Sequence, residues 1–187
     1  MVLRIAICGK MGSGKTTLAE HIQKENPFFV RRSLAEGVKK FARFVYDIPE
    51  GKKDRILFQK IGDGARQELF EDIWITTLLK SCNEGENTIV DDVRYHNEVI
   101  KLKELGWKIV KIDIENTLQE ERIKKTYPLD WKIHLASRTH NSEIEIDTIP
   151  ENLFDIIIKA ENNNQPIKEL TQYLYNLYLE EWSMNTL

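Results

Sequence analysis

Seven residues from Val2 to Cys8 run apolar on both faces apart from Arg4. A central parallel strand reads this way when helices cover both sides of its sheet. Thr88 to Val90, Lys108 to Ile114 and Phe154 to Ile158 follow the same rule, and Phe28 to Val30 is a shorter candidate. Between these runs the spacing turns helical. Lys15 to about Glu25 places Leu18 and Ile22 on one face and stops before Pro27. Leu34, Val38, Phe41, Ala42 and Val45 recur at helical intervals until Pro49. After the polar break Glu50 to Asp54 the pattern resumes with Ile56, Leu57, Lys60 and Ile61. Gly62-Asp63-Gly64 interrupts it, and Arg66 to Phe70 and Ile73 to Cys82 predict further pieces. Asn97 to Leu105 is amphipathic, with Gly106 suited to the position after a helix end. Leu118 to about Lys125 predicts another helix, and Ile167, Leu170, Leu174, Leu177 and Tyr178 a closing one. The stretch 126–141 is basic and aperiodic, and Ser142 with Glu145 could form a capping box for one short turn.

Short apolar strands alternating with helices predict an α/β fold, a five-stranded parallel sheet flanked by helices. Helices between 34 and 82 come without an intervening strand. They read as an insertion over the carboxyl edge of the sheet, where α/β proteins bind ligands. No linker divides the chain, and 187 residues suit one sizeable core. The expectation is a single domain over 1–187, with a core at 1–30, 88–125 and 150–187. The helical insertion spans about 31–87 and a covering segment about 126–141.

Composition narrows this picture only by exclusion. A net charge of −3 supplies no basic field for a nucleic-acid polymer. The first apolar run is too short for a signal peptide or a membrane span. Cys8 and Cys82 lie far apart without metal-ligand spacing and read as reduced packing residues, which suits a cytoplasmic compartment. His134 and His140 share no metal-ligand spacing and read as surface residues.

Chemistry enters at Gly9-Lys10-Met11-Gly12-Ser13-Gly14-Lys15-Thr16, which fits the phosphate-binding pattern G-x-x-x-x-G-K-[ST] between a strand and a helix. Glycines let successive N–H groups turn inward toward phosphate oxygens. Lys15 supplies a point charge for the β- and γ-phosphates, Thr16 a hydroxyl for Mg²⁺, and the helix start through Thr17 a partial positive charge. The loop thus predicts a bound nucleoside triphosphate with Mg²⁺.

Asp91 and Asp92 end a strand beside that loop. Either could support the metal, directly or through water, or orient an acceptor; a turn that merely favours aspartate is the plain alternative. The fork of Arg94 suits an acceptor phosphate. In the insertion, Arg31, Lys39, Gln59, Arg66 and Trp74 could clamp a nucleoside monophosphate and read its base. Taken singly, Lys39 fits a solvated helix face and Trp74 a core position equally well. Arg66 is favoured because Gly62-Asp63-Gly64 ahead of it lets backbone approach a ligand. Arg122, just before the aperiodic stretch, and Arg138, near its end, could bring cations to the transferring group as a lid closes.

Together these residues resemble the deoxynucleoside monophosphate kinases of tailed phages, within the P-loop nucleoside monophosphate kinase fold. The resemblance rests on Gly9 to Thr16, on Gln59 to Arg66 followed by Trp74, and on Asp91-Asp92-Val93-Arg94-Tyr95-His96-Asn97-Glu98. Leu102 to Gly106, His140-Asn141-Ser142-Glu143 and Phe154 to Ile158 extend it. It implies a P-loop kinase with a monophosphate-binding insertion and a mobile lid, moving a phosphoryl group from ATP to a dNMP. It also implies an Asn near the donor base, a place that Asn162 fills. The expected roles are then catalysis by Lys15, Arg122, Arg138 and Asp92, and metal binding by Thr16 and Asp91. The expected partner is a small-molecule acceptor, and the protein a monomer or homodimer. Two other readings stay open: a kinase of the same architecture for dephospho-coenzyme A or a phosphorylated metabolite, and a nucleotide-dependent switch without turnover.

Overall fold

Five parallel strands form the centre of the protein, whose computed structural model describes residues 2–51 and 54–184. They are β1 (Arg4–Gly9), β2 (Phe29–Arg32), β3 (Asn87–Val93), β4 (Lys108–Asp113) and β5 (Ile156–Lys159), in the order β2-β3-β1-β4-β5. Strand β1 alternates between two cores. Ile5 and Ile7 join Leu18, Ile22, Val110, Ile112 and Leu170 on one side, while Ala6 and Cys8 join Val38, Leu78, Val99 and Trp107 on the other. Burial on both faces explains the unbroken apolar run in the sequence. Cys8 lies wholly within this core, and burial pushes its thiol up to about 12, which makes it inert packing.

The first face is covered by α1 (Lys15–Glu25) and α9 (Gln165–Met184). The second is covered by α2 (Glu36–Tyr46), α4 (Ile73–Ser81) and α5 (His96–Glu104), with α3 (Arg55–Glu68) packed against them. Three helices therefore lie between β2 and β3, with no strand among them. The polar break before α3 falls partly on residues 52 and 53, outside the described ones.

Several local readings need correction. Gly62-Asp63-Gly64 does not interrupt a helix, because α3 runs through it to Glu68 and the separate piece Arg66 to Phe70 does not exist. Tertiary packing offsets the weak helix propensity of glycine here, roughly 1 kcal/mol per residue. Trp74 wedges between α2 and α3, and its indole Nε1 donates to Gly62 O at 3.0 Å. A Cβ on Gly37 would meet that ring at 2.8 Å, so Gly37 admits the tryptophan, while Gly62 contributes its carbonyl. The aperiodic stretch contains α7 (Trp131–Ala136) and leads into α8 (Asn141–Ile144) after the longer α6 (Asn116–Thr126). A six-residue helix is too short to display periodicity. The cap of α8 is His140, whose ring accepts from Ser142 N at 3.2 Å; Ser142 is not the N-cap.

Strand β3 runs past its expected end through both aspartates. Its register against β1 slips, with Ala6 opposite Val90 but Cys8 opposite Val93, so β3 carries one extra residue at Asp91-Asp92. Such a bulge re-aims side chains at a sheet end.

Candidate active site

The carboxyl ends of β1 and β3 open into a cleft of about 1520 Å³. On its floor, residues 9–16 pass from β1 into α1. Gly12 (φ 77°) and Gly14 (φ 106°) adopt left-handed backbone, which a side chain would strain. Gly14 occupies the cap position of α1 and supplies no side chain, so the first amides of α1 are left for an incoming anion. Ser13 Oγ is buried without a hydrogen-bond partner, a further donor aimed into this loop.

Lys15 is folded into the loop, donating from Nζ to Gly9 O at 2.6 Å and to Lys10 O at 2.7 Å. Burial lowers its pKa to about 7, with help from Arg94, against the pull of Glu143. Phosphate oxygens arriving at Nζ restore the charged form. Nucleotide binding at pH 8, one unit above that value, is therefore expected to take up most of a proton. Calorimetry of ADP binding in buffers of different ionisation enthalpy measures this uptake. Uptake near zero at pH 8 and unchanged at pH 6 would show that Lys15 is already charged.

Thr16 Oγ1 donates to Asp91 Oδ2 at 2.8 Å. Asp91 is buried and also receives Arg31, whose Nε and Nη2 lie at 2.9 and 2.6 Å from the two carboxylate oxygens. A hydroxyl and one carboxylate are the hard oxygen donors that suit Mg²⁺, which keeps most of its water. No larger cluster of His, Cys, Asp or Glu competes for a metal among the described residues. Asp92 differs from its neighbour. Its carboxylate accepts from Ser33 Oγ, Leu34 N and Ala35 N at 2.6–3.0 Å, fastening the start of α2 to β3. Asp92 still lines the cleft, but those three bonds commit its carboxylate to anchoring.

Arg94 and Arg66 both line the cleft, with Arg94 close enough to Lys15 to lower its pKa. Arg94 pairs with Glu143 on α8. Arg66 pairs with Glu98 at 2.7 Å and lies over the Tyr95 ring, 4.1 Å from its centroid. Glu98 also accepts from Arg94 N and Tyr95 N. Its full burial pushes its pKa up, while Arg66 and those amides pull it down. Gln59 and Lys39 line the same wall, with Lys39 Nζ 3.3 Å from Ser33 Oγ. Trp74 contributes one edge, but its N–H is committed to the fold and is not available to read a base.

The two remaining arginines part company. Arg122 grips the back of the loop, with Nη1 donating to Gly12 O and Ser13 O at 3.0 and 3.1 Å. It also reaches Glu161 O and, at 3.3 Å, Asn162 Oδ1. Asn162 is exposed, and its neighbours Glu161 and Asn163 line the cleft. Arg138 instead donates to Asn116 beside a smaller cavity, shared with Lys10 and Gln119. It does not line the main cleft, because the turn after α7 carries it behind the loop; this corrects its pairing with Arg122. Lys10 likewise points away, forming an ion pair with Asp147 at 2.6 Å. Met11, Gly12 and Thr17 line the cleft with Lys15 and Thr16.

Sequence reasoning missed Glu98 and Glu143, the buried carboxylates behind the two arginines. It also assigned His140 to the surface. The histidine lines the cleft, with Nε2 3.0 Å from Asp63 Oδ2, and Asp63 Oδ1 accepts from Tyr95 OH at 2.9 Å. A hint lay in the blocks Arg94 to Glu98 and His140 to Glu143, which carry charges at short regular spacing without any apolar stripe.

Residues 5–146 match a family model described as an AAA domain. The chain belongs to the AAA domain family. A protein of Acanthamoeba polyphaga mimivirus named "Putative deoxynucleotide monophosphate kinase" is similar at 25% identity over 202 residues, covering 90% of this chain and 92% of that one. Among solved structures, TT1252 from Thermus thermophilus aligns with a TM-score of 0.60 at 15% identity, over 94% of this chain and 98% of that one. Dephospho-CoA kinase from Campylobacter jejuni gives 0.56 at 16% identity, over 95% and 98%. Likeness at such identities shows that this AAA-domain protein shares the fold of those two structures. Among the described residues, no helix is long and apolar enough to cross a membrane.

Proposed function

We propose that this AAA-domain protein transfers the γ-phosphoryl group of ATP to a deoxynucleoside monophosphate, yielding a dNDP and ADP. One observation carries the reading: Arg94 and Arg66 stand on the same cleft as the phosphate loop, each backed by a buried carboxylate. Two cations on the cleft of a triphosphate loop, beyond the loop's own lysine, suit a cleft that takes two phosphorylated substrates. A switch needs only one. The name of the mimiviral relative supports a dNMP acceptor.

In this reading the loop amides, Ser13 Oγ and Lys15 bind the donor phosphates, and Arg122 braces the loop from behind. Thr16 and Asp91 would hold Mg²⁺, which shields the donor oxygens when bound. Arg94 and Arg66 fix the acceptor phosphate, with Arg31, Lys39 and Gln59 along the same wall. An oxygen of that phosphate forms the new bond to the γ-phosphorus as the bond to the β,γ-bridging oxygen breaks and ADP departs. The attacking oxygen is already ionised at neutral pH, so no strong base is needed. Helices α2 to α4 form the acceptor cradle, and residues from about 126 to 141 act as a lid.

The fold shared with a dephospho-CoA kinase motivates a second acceptor class. A panel of dNMPs, NMPs and dephospho-coenzyme A, read by ADP release, separates the two. Stimulation by a dNMP well above the acceptor-free rate is the expected result. Release driven only by dephospho-coenzyme A would replace the reading.

A further inference from the structure

Glu143 is 4% exposed, and its two oxygens serve different halves of the cleft. Oε1 receives Arg94, while Oε2 accepts from Met11 N in the phosphate loop at 2.8 Å. It rides on α8, whose capping residue His140 is tied to Asp63 on α3. That short helix is therefore fixed at one end to the insertion and at the other to the loop and to the end of β3. We infer that Glu143 is a positioning residue that couples acceptor binding to the phosphate loop. The inference rests on the assignment of Arg94 to the acceptor phosphate.

A phosphate dianion arriving at Arg94 competes with Glu143 for the guanidinium fork. As Arg94 turns toward it, the buried carboxylate loses its principal counter-charge and cannot remain unpaired cheaply. Its remaining partner is the Met11 amide, and Lys15 is the neighbouring cation that it already influences. Acceptor occupancy thus strengthens the hold of Glu143 on the loop that grips the donor. By linkage, donor occupancy favours the acceptor equally. Glutamine at this position separates the two tasks. Its carbonyl can still accept from Met11 N–H, but its amide offers Arg94 no charge.

The test compares the full-length wild type with Glu143→Gln and Glu143→Ala. ADP affinity is measured by calorimetry with Mg²⁺, with and without a dNMP, alongside kcat, both KM values and melting temperature. In the wild type a dNMP is expected to tighten ADP binding about fivefold or more. Glu143→Gln keeps ADP affinity within about threefold when alone, loses the response to dNMP, and drops kcat on the order of tenfold. Glu143→Ala weakens ADP on the order of tenfold even without acceptor. A purely structural residue would lower the melting temperature and leave the affinities and their coupling unmoved, which overturns the inference. Should the alanine variant not fold, the glutamine variant decides through the loss or survival of coupling. If the wild type binds no dNMP, the acceptor assignment has failed. Glu143 is then judged on ADP alone, where weaker binding by alanine than by glutamine supports the tie to the loop and equal binding overturns it.

Discussion

Lys15→Ala is expected to reduce turnover by ~10³-fold or more while the protein stays folded. The loop surrounds Nζ with carbonyls from Gly9 and Lys10, so in the free protein the ammonium is held at the loop centre by backbone alone. Its value appears when charge spreads over the transferring phosphoryl group, a stage at which no other side chain of the loop can replace it. Stability should change little or rise. The buried ammonium has a depressed pKa, so the folded state binds fewer protons than the unfolded one between about 7 and the ordinary lysine value. A depressed lysine penalises the fold below its unfolded pKa, and alanine removes that penalty. Steady-state rates paired with thermal melting check both halves. Near-normal rates in a folded variant would remove Lys15 from the chemistry.

Arg94→Ala is expected to lower kcat/KM for the acceptor on the order of 100-fold, with the donor KM changed far less. Two charge-assisted bonds to a phosphate are lost together, and Glu143 is left buried without its partner. The melting temperature should fall for that second reason. Arg94→Lys restores the charge but not the fork, so it should recover stability more fully than acceptor use. Unchanged acceptor kinetics in both variants would place the acceptor phosphate elsewhere on the cleft.

The contrast between these two residues shows what could be read from sequence. Lys15 belongs to a contiguous loop whose task depends on backbone geometry over eight residues, and such a feature is legible in any chain. The sheet was legible too, because burial on both faces leaves unbroken apolar runs. Arg94 was legible as a cation at a strand end, but its state was not. Its partner Glu143 lies 49 residues further on, and that carboxylate reaches Met11 across a separation of 132. No periodicity records contacts at such distances. The same holds for Trp74, whose fate was decided by Gly37 and Gly62 on two other helices. Asp91 and Asp92 are adjacent in sequence yet divide their tasks, because successive side chains of a strand leave it on opposite faces and meet different neighbours there.

The insertion between β2 and β3 was visible as helices without a strand, while the continuity of α3 was hidden by its glycines. The short helices after residue 126 were hidden by their length.

Phosphorus NMR of the complete reaction follows the transfer between two phosphorylated substrates at the atoms that change. With ATP, Mg²⁺ and a dNMP, the γ-resonance of ATP is expected to disappear as new α- and β-resonances of a dNDP grow in to match. Loss of the γ-resonance matched instead by inorganic phosphate, at a rate indifferent to every acceptor, would contradict such a transfer.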